Sequence, residues 1–575
     1  MLLLDGIFIL YSFMTIRPSN KFIIYQLMTR LFGNKVTVNK PHGARDENGV
    51  GKFSDITSAA LNGIKKLGVT HVWYTGVIEH ALVTDYTAHG IPLDHPDLVK
   101  GKAGSPYAIK DYYDVNPDLA VDVNKRMNEF EGLVSRTHEH DLKVIIDFVP
   151  NHVARVYKSD VKPKGVIDLG EEDNTEVAFT TTNNFYYLPG QSFTSPQQIA
   201  SNRFEEYPAK ATGNDQFSPS PNINDWFETV KLNYGVDIQH GRTNHFYPIP
   251  NTWEKMKDIL LYWTEKKVDG FRCDMVEMVP VEFWSWVIPH IKKVNPQIIF
   301  IAEVYNPEMY NRYVQDGKFD FLYDKVDVYD TLRSLITGMS TTMQLATIMD
   351  KRKEDRAHML HFLENHDEQR IASSFFTGDP WKAIPGMVVS ATIDQGPVMI
   401  YFGQEVGEKG LGAEGFSTED GRTTVFDYWG VPAHQQWMSG GKFDGSMLDQ
   451  DQQKLRDTYS TLLQLARQYI AIVDGDYADL TQFNVENKNF SDRIHAFIRF
   501  RNDEILIVVS SFAAQEERVN VQLPDVLLKK IGFALKSGVM ANDLLKSGAQ
   551  VRFNDENSFE FSIPSFNSYI FKIKN

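Results

Sequence analysis

Three acidic residues, each closing a separate apolar run of strand-like composition, constrain this chain more than any other feature. Asp274 closes Val268-Asp269-Gly270-Phe271-Arg272-Cys273, Glu303 follows Ile298-Ile299-Phe300-Ile301-Ala302, and Asp367 ends His361-Phe362-Leu363-Glu364-Asn365-His366. A fourth run, Lys143-Val144-Ile145-Ile146-Asp147-Phe148-Val149-Pro150-Asn151-His152, carries Asp147 and His152. Acidic groups at the ends of different strands can meet only where those ends converge. The C-terminal face of a parallel (β/α)8 barrel is such a place. A gathering of carboxylates there fits glycoside cleavage, in which one attacks and another protonates the leaving oxygen.

The spacing of apolar runs extends this reading to an α/β fold, a (β/α)8 TIM barrel. Strands are predicted at 22–31, 71–76, 143–149, 268–273, 298–302, 319–323, 359–363 and 397–402, with amphipathic stretches such as 123–140 and 252–267 between them. The gap between the third and fourth runs is too long for one crossover helix. It is rich in Asn, Ser, Pro, Phe and Tyr with little helical period, as expected of a functional loop or small domain. After a helix-like stretch at 452–469 the pattern changes to short alternating runs at 494–501, 505–511, 518–523, 559–563 and 569–573, a separate antiparallel β-sandwich. The expected division is an N-terminal tail at 1–20, a barrel at 21–152 and 249–473, an inserted domain at 153–248 after strand 3, and a C-terminal sandwich at 474–575.

The marked runs resemble the signature regions of the α-amylase family of glycoside hydrolases, family 13. Asp147-Phe148-Val149-Pro150-Asn151-His152 is similar to its D-x-x-x-N-H region, Gly270 to Asp274 to G-x-R-x-D, and Asn365-His366-Asp367 to N-H-D, with Glu303 where the third region has its glutamate. Each alone is a weak pattern; four in order, spread over more than 200 residues, are specific. The resemblance implies Asp274 as nucleophile, Glu303 as acid/base and Asp367 as the carboxylate that stabilises the transition state. It places His152, His366 and Tyr107 against the sugar and gives Asp147 a supporting role. Arg272, two residues before Asp274, points to the same face and would keep the nucleophile's pKa low. The apolar run before Glu303 would raise the pKa of the proton donor. Retention requires the reacting pair to stand roughly 5–5.5 Å apart.

Three departures bear on substrate. Glu277 and Met278 stand where many relatives have Lys-His, residues 234–238 replace the Q-P-D-L-N string of α-1,6-acting relatives, and Gly76 stands where a proline is usual. No cofactor is needed for the chemistry, and a structural Ca2+ is the one ion the resemblance suggests. Residues 46–52 resemble a D-x-N-x-D-G calcium loop, but Val50 replaces the middle acid, so that loop is expected to fold without metal. A second family site would use Asn151 and an acid of the inserted segment, for which Asp237 is the candidate.

Composition narrows the partners. Acidic residues outnumber basic ones 75 to 59, a formal charge of -16, which disfavours nucleic acid and anionic membranes and leaves a neutral α-glucan untouched. The single cysteine, Cys273, excludes an internal disulfide. The apolar stretch 1–14 is interrupted by Asp5 and lacks a charged leader, which favours a cytoplasmic protein; a degenerate export signal, periplasmic or secreted, is the alternative. Oligomeric state is not legible. The expected activity is a retaining α-glucan hydrolase of α-amylase type, with a transglycosylase or an exo-acting α-glucosidase on the same scaffold as alternatives, and an inactive barrel as the non-enzymatic one.

Overall fold

Eight apolar segments pair in parallel: β1 (Ile23–Met28), β2 (His71–Thr75), β3 (Lys143–Phe148), β4 (Gly270–Cys273), β5 (Ile299–Ala302), β6 (Phe321–Tyr323), β7 (Met359–Leu360) and β8 (Val398–Tyr401). The computed structural model describes residues 21–573 except Ser417. The N-terminal tail, and the export question with it, lies outside the described residues. Neighbours follow the chain from β1 to β7, β8 pairs with β1, and a bridge from His361 to Val398 closes the ring. Every strand residue except Lys143 is buried, because the barrel interior covers one face and helices the other. That two-sided burial makes the runs read as continuous rather than alternating.

The interior is layered. Ile24, Trp73, Ile145, Ile301, Leu360 and Met399 form part of a dry cluster. Side chains of alternate residues share a face, so Gln26 follows Ile24 inward and Asp147 follows Ile145. Arg272 is in register with Asp147 on one side and Ile301 on the other. Gln26, Asp147 and Arg272 thus bring polar side chains to the C-terminal end of the barrel, while His71 at the start of β2 packs against Phe22 at the other end. All eight strands are shorter than predicted, the first and the seventh most of all. The first stops at Met28, where Thr29 Oγ1 donates to the Thr75 carbonyl at 2.8 Å and the chain turns into a helical segment, Thr29–Phe32. The seventh pairs only over Met359–Leu360 before the bridge at His361. Gly76, after β2, has a φ of 77°, which a proline ring cannot adopt.

Residues 153–248 contain no helix. Short antiparallel pairs order the segment: His152–Ala154 with Thr229–Lys231, which starts in the loop after β3, then Tyr187–Leu188 with Ala209–Lys210 and Val236–Asp237 with Thr243–Asn244 within it. At the C-terminal end, a six-stranded sheet (Asp476–Asp479, Ile494–Arg501, Glu504–Ser511, Ser568–Ile573, Met540–Asp543 and Gln550–Arg552, in that spatial order) faces a two-stranded one (Glu517–Gln522 and Ser558–Ile563). Ile507 and Val509 pack toward Val519 and Phe559, while Leu506 and Val508 join the core of the barrel. Strand alternation lets one sheet serve both interfaces. Among the described residues, no helix is long and apolar enough to cross a membrane.

A buried ion-pair relay fixes β7 to its surroundings. His361 Nε2 lies 2.7 Å from Asp394 Oδ2 and its Nδ1 3.1 Å from Asp324 Oδ2. Burial opposes the charged imidazolium, but Asp394 and Asp324 outweigh it and raise its pKa from 6.5 to about 9. A histidine whose folded pKa lies above its unfolded value contributes stability that is fully present below about pH 6.5 and lost as pH rises through about 9. That contribution is about 3 kcal/mol, since each tenfold gain in proton affinity is worth about 1.4 kcal/mol. Melting temperature is expected to fall between about pH 7 and 10, and His361→Gln to flatten that decline. A profile that His361→Gln leaves unchanged would contradict the relay.

Candidate active site

Asp147 within β3, Asp274 directly after β4 and Glu303 directly after β5 come to a common centre, and Arg272 of β4 is what they meet. Its guanidinium is completely buried. Nη1 donates to Asp274 Oδ1 at 2.8 Å and to Asp147 Oδ1 at 3.4 Å, while Nη2 lies 2.7 Å from Glu303 Oε1. Nε donates to the Tyr323 hydroxyl at 3.2 Å. The rings of Trp73, Tyr107 and Tyr323 each lie 5.3–5.4 Å from the guanidinium carbon. A desolvated cation in an aromatic cage favours carboxylates at its edge.

Backbone geometry seats the two acids. The Asp274 N–H donates to the Phe148 carbonyl at 2.9 Å, and the Glu303 N–H to the Cys273 carbonyl at 3.1 Å. Met275 then takes a left-handed conformation, φ 43° and ψ 47°, uncommon for a side chain of this kind. It aims the Met275 N–H at Glu303 Oε2, 2.8 Å away. Tyr305 donates its hydroxyl to Glu303 Oε1 at 2.9 Å from a ring 38 % exposed at the cleft mouth.

Asp274 titrates differently from the sequence expectation. Burial and the neighbouring Glu303 push its carboxyl well above the ordinary range, and Arg272 offsets this only in part. The same guanidinium also serves Glu303 and all three groups are desolvated, so its pull on Asp274 does not cancel the cost of burial. Asp367 behaves oppositely. Burial opposes its ionisation, but His366, Arg272 and Arg422 outweigh it and hold the carboxyl below its usual range.

The other predicted residues lie around this centre. His366 Nε2 is 3.1 Å from Asp367 Oδ2 and 2.5 Å from the Tyr107 hydroxyl, and its Nδ1 is 2.8 Å from Gln26 Nε2. The Tyr107 and His366 rings stack at 5.3 Å. Asp147 accepts from Trp73 Nε1 at 3.1 Å, and burial raises its pKa against the pull of Arg272 and His366. His152 lies against Trp226, and burial, with Lys231 and Lys100 nearby, lowers its pKa to about 3, so the ring is neutral. Trp73, Tyr305, Tyr323 and Arg422, whose Nε donates to the Asp367 carbonyl at 2.6 Å, were not singled out from the sequence. An aromatic inside an apolar strand, like Trp73 or Tyr323, reads as core, and an aromatic or arginine in an unmarked loop carries no signal of what it faces.

The Asn151–Asp237 metal pair is not assembled. Asn151 Oδ1 accepts from the Lys231 ammonium, and Asn151 Nδ2 donates to the Gly213 carbonyl at 2.8 Å. Asp237 instead pairs with His240 Nδ1 at 2.9 Å in an exposed turn. An ammonium at the oxygen that would bind calcium repels a second cation, so these residues do not fit the ion. In the strand-1 loop Asn48 is likewise engaged, accepting from the Lys40 N–H and donating to the Tyr428 carbonyl.

A model of the alpha-amylase catalytic domain matches residues 41–427. Alpha-amylase 3 of Dictyoglomus thermophilum is 23 % identical over 432 residues, covering 72 % of this chain and 75 % of that protein. The cyclomaltodextrin glucanotransferase of Bacillus sp. (strain 1011) is 22 % identical over 67 % of this chain, which spans about half of that longer protein (49 %). Among solved structures, the noncanonic maltogenic alpha-amylase AmyB of Thermotoga neapolitana superposes with a TM-score of 0.63 at 17 % identity, covering 97 % of this chain and 100 % of AmyB. With three marked acids meeting one buried arginine and a family model spanning most of the chain, this protein belongs to the alpha-amylase family of glycoside hydrolases.

Proposed function

We propose that this chain hydrolyses α-1,4-glucosidic bonds of starch or maltodextrins with retention of anomeric configuration. The observation that carries the reading is Arg272, whose two terminal nitrogens hold Asp274 and Glu303 side by side while Asp367 stands ionised on His366. In this scheme Asp274 attacks the anomeric carbon as Glu303 transfers its proton to the departing sugar oxygen. The step requires one carboxylate and one carboxylic acid side by side. Water then enters where the departing sugar stood, gives its proton to Glu303, and breaks the glycosyl–Asp274 bond. Asp367, His366 and the neutral His152 bind sugar hydroxyls and favour the flattened, positive transition state. Nucleophile and proton both come from the chain's own carboxyls.

Two displacements at one carbon leave the α-anomer. Proton NMR of maltoheptaose digestion in its first minutes, before mutarotation, is expected to show α-anomeric reducing ends. Predominant β-product would mean that the nucleophile is wrongly assigned. Chromatography of the same digest would show larger oligosaccharides if a sugar rather than water resolved the intermediate.

A further inference from the structure

Lys231, at the end of the Thr229–Lys231 strand, is only 3 % exposed and lies apart from the reacting carboxylates. Its ammonium meets three oxygens from three separate stretches of chain. Asn151 Oδ1 comes from the loop after β3, Asp215 Oδ1 from the inserted segment at 2.8 Å, and the Met278 carbonyl from the turn after Asp274 at 3.1 Å. An ammonium has three N–H donors, and each has an oxygen here. An amide oxygen, a carboxylate and a backbone carbonyl are also the hard donors that bind calcium.

The location gives this contact leverage on the chemistry. Lys231 pairs through its backbone with His152. Met278 ends the 3-10 turn Val276–Met278, the Val276 N–H donates to the Glu303 carbonyl at 3.3 Å, and the Met275 N–H holds Glu303 Oε2. A pull on the Met278 carbonyl is therefore passed through one short turn to the proton donor. Burial lowers the Lys231 pKa and Asp215 offsets that only in part, with Arg242 3.6 Å from the same carboxylate.

We propose that Lys231 is a positioning residue that acts as a built-in cation, its ammonium joining the inserted segment, the loop after β3 and the turn after Asp274 as a bound divalent ion would. The inference rests on the assignment of Asp274 and Glu303 as the reacting pair only for its kinetic consequence; the replacement of an ion by Lys231 stands on the contacts alone.

The test is to turn the site back into a metal site. Lys231→Ser removes the ammonium and leaves three oxygens facing the space it filled, whereas Lys231→Met fills that space without charge. Without calcium both variants are expected to lose kcat by roughly ten- to hundredfold, the range seen when supports of reacting groups are removed, with KM changed less. Millimolar calcium is expected to raise the melting temperature and kcat of Lys231→Ser beyond any response of the parent chain, by mass action on the folded state. Lys231→Met is expected not to respond beyond the parent. If Lys231→Ser folds only when calcium is present and Lys231→Met folds in neither condition, the same conclusion holds. Parent-like kcat in Lys231→Ser, or a calcium response no larger than the parent's, would overturn the inference. A parent chain inactive on maltodextrin would defeat the hydrolase reading yet leave the melting-temperature comparison intact.

Discussion

Asp274→Asn is expected to lower kcat on maltoheptaose by roughly 10⁴-fold or more, the order of loss when a covalent nucleophile is removed, without unfolding the protein. The amide is nearly isosteric with the carboxylate but cannot form the glycosyl ester. Its effect on stability has a definite sign. Burial and the adjacent Glu303 raise the Asp274 pKa in the folded protein, so ionised Asp274 is a cost to folding at neutral pH. An acid with a raised folded pKa destabilises increasingly as pH climbs above its unfolded value, and a neutral amide removes that cost. The melting temperature of Asp274→Asn near neutrality is therefore expected to equal or exceed the parent's, the usual relation between strained active sites and stability. A variant that melts well below the parent, or keeps much of its activity, would show that Asp274 is a structural partner of Arg272 rather than the attacking group.

Arg272→Lys is the second large effect, and it should damage both activity and fold. A lysine keeps the charge but replaces a planar fork, which here reaches Asp147, Asp274, Glu303 and Tyr323, with a point charge on a flexible stem. The carboxylates it cannot reach are left buried beside one another. We expect a loss of roughly 10²–10³-fold in kcat, as when one preorganised donor is removed from a reacting centre. Stability should fall by about 3 kcal/mol, the lower end of what breaking a buried ion pair costs. Urea unfolding alongside steady-state kinetics measures both. Near-parental kcat in Arg272→Lys would mean that the fork does not organise the reacting pair.

The eight barrel strands were legible because each carries its own signal: a strand buried on both faces needs apolar residues along its length. Asp147, Asp274 and Glu303 were legible for the same reason, since each lies in its strand or directly after it and the local chain fixes where it emerges, while Asp367 was legible from its N-H-D motif. Strand length was not. Thr29 reads as a strand residue but spends its hydroxyl on the Thr75 carbonyl, and Arg30 turns toward the carbonyls of Ala103 and Gly104.

What the sequence by itself determined was the set of groups at the barrel mouth: Arg272, Asp274, Glu303, Asp367, and Asp147 beneath them. Only the tertiary structure decided how Asp274 titrates and what surrounds these groups. Arg272 was expected to lower the Asp274 pKa, and the folded site reverses the direction because the same guanidinium also serves Glu303 and all three are desolvated. Likewise Asn151 was marked by its motif, but the side chain that reaches it had to come from an irregular stretch without periodicity. There the order of residues says nothing about the path of the chain, and packing brought Lys231 and Asp215 to the junction while Asp237 stayed at the surface with His240. Periodic segments carry their orientation in the sequence because repeated side-chain directions must match a buried face; an irregular segment acquires its contacts only when the rest of the fold fixes where each turn can go.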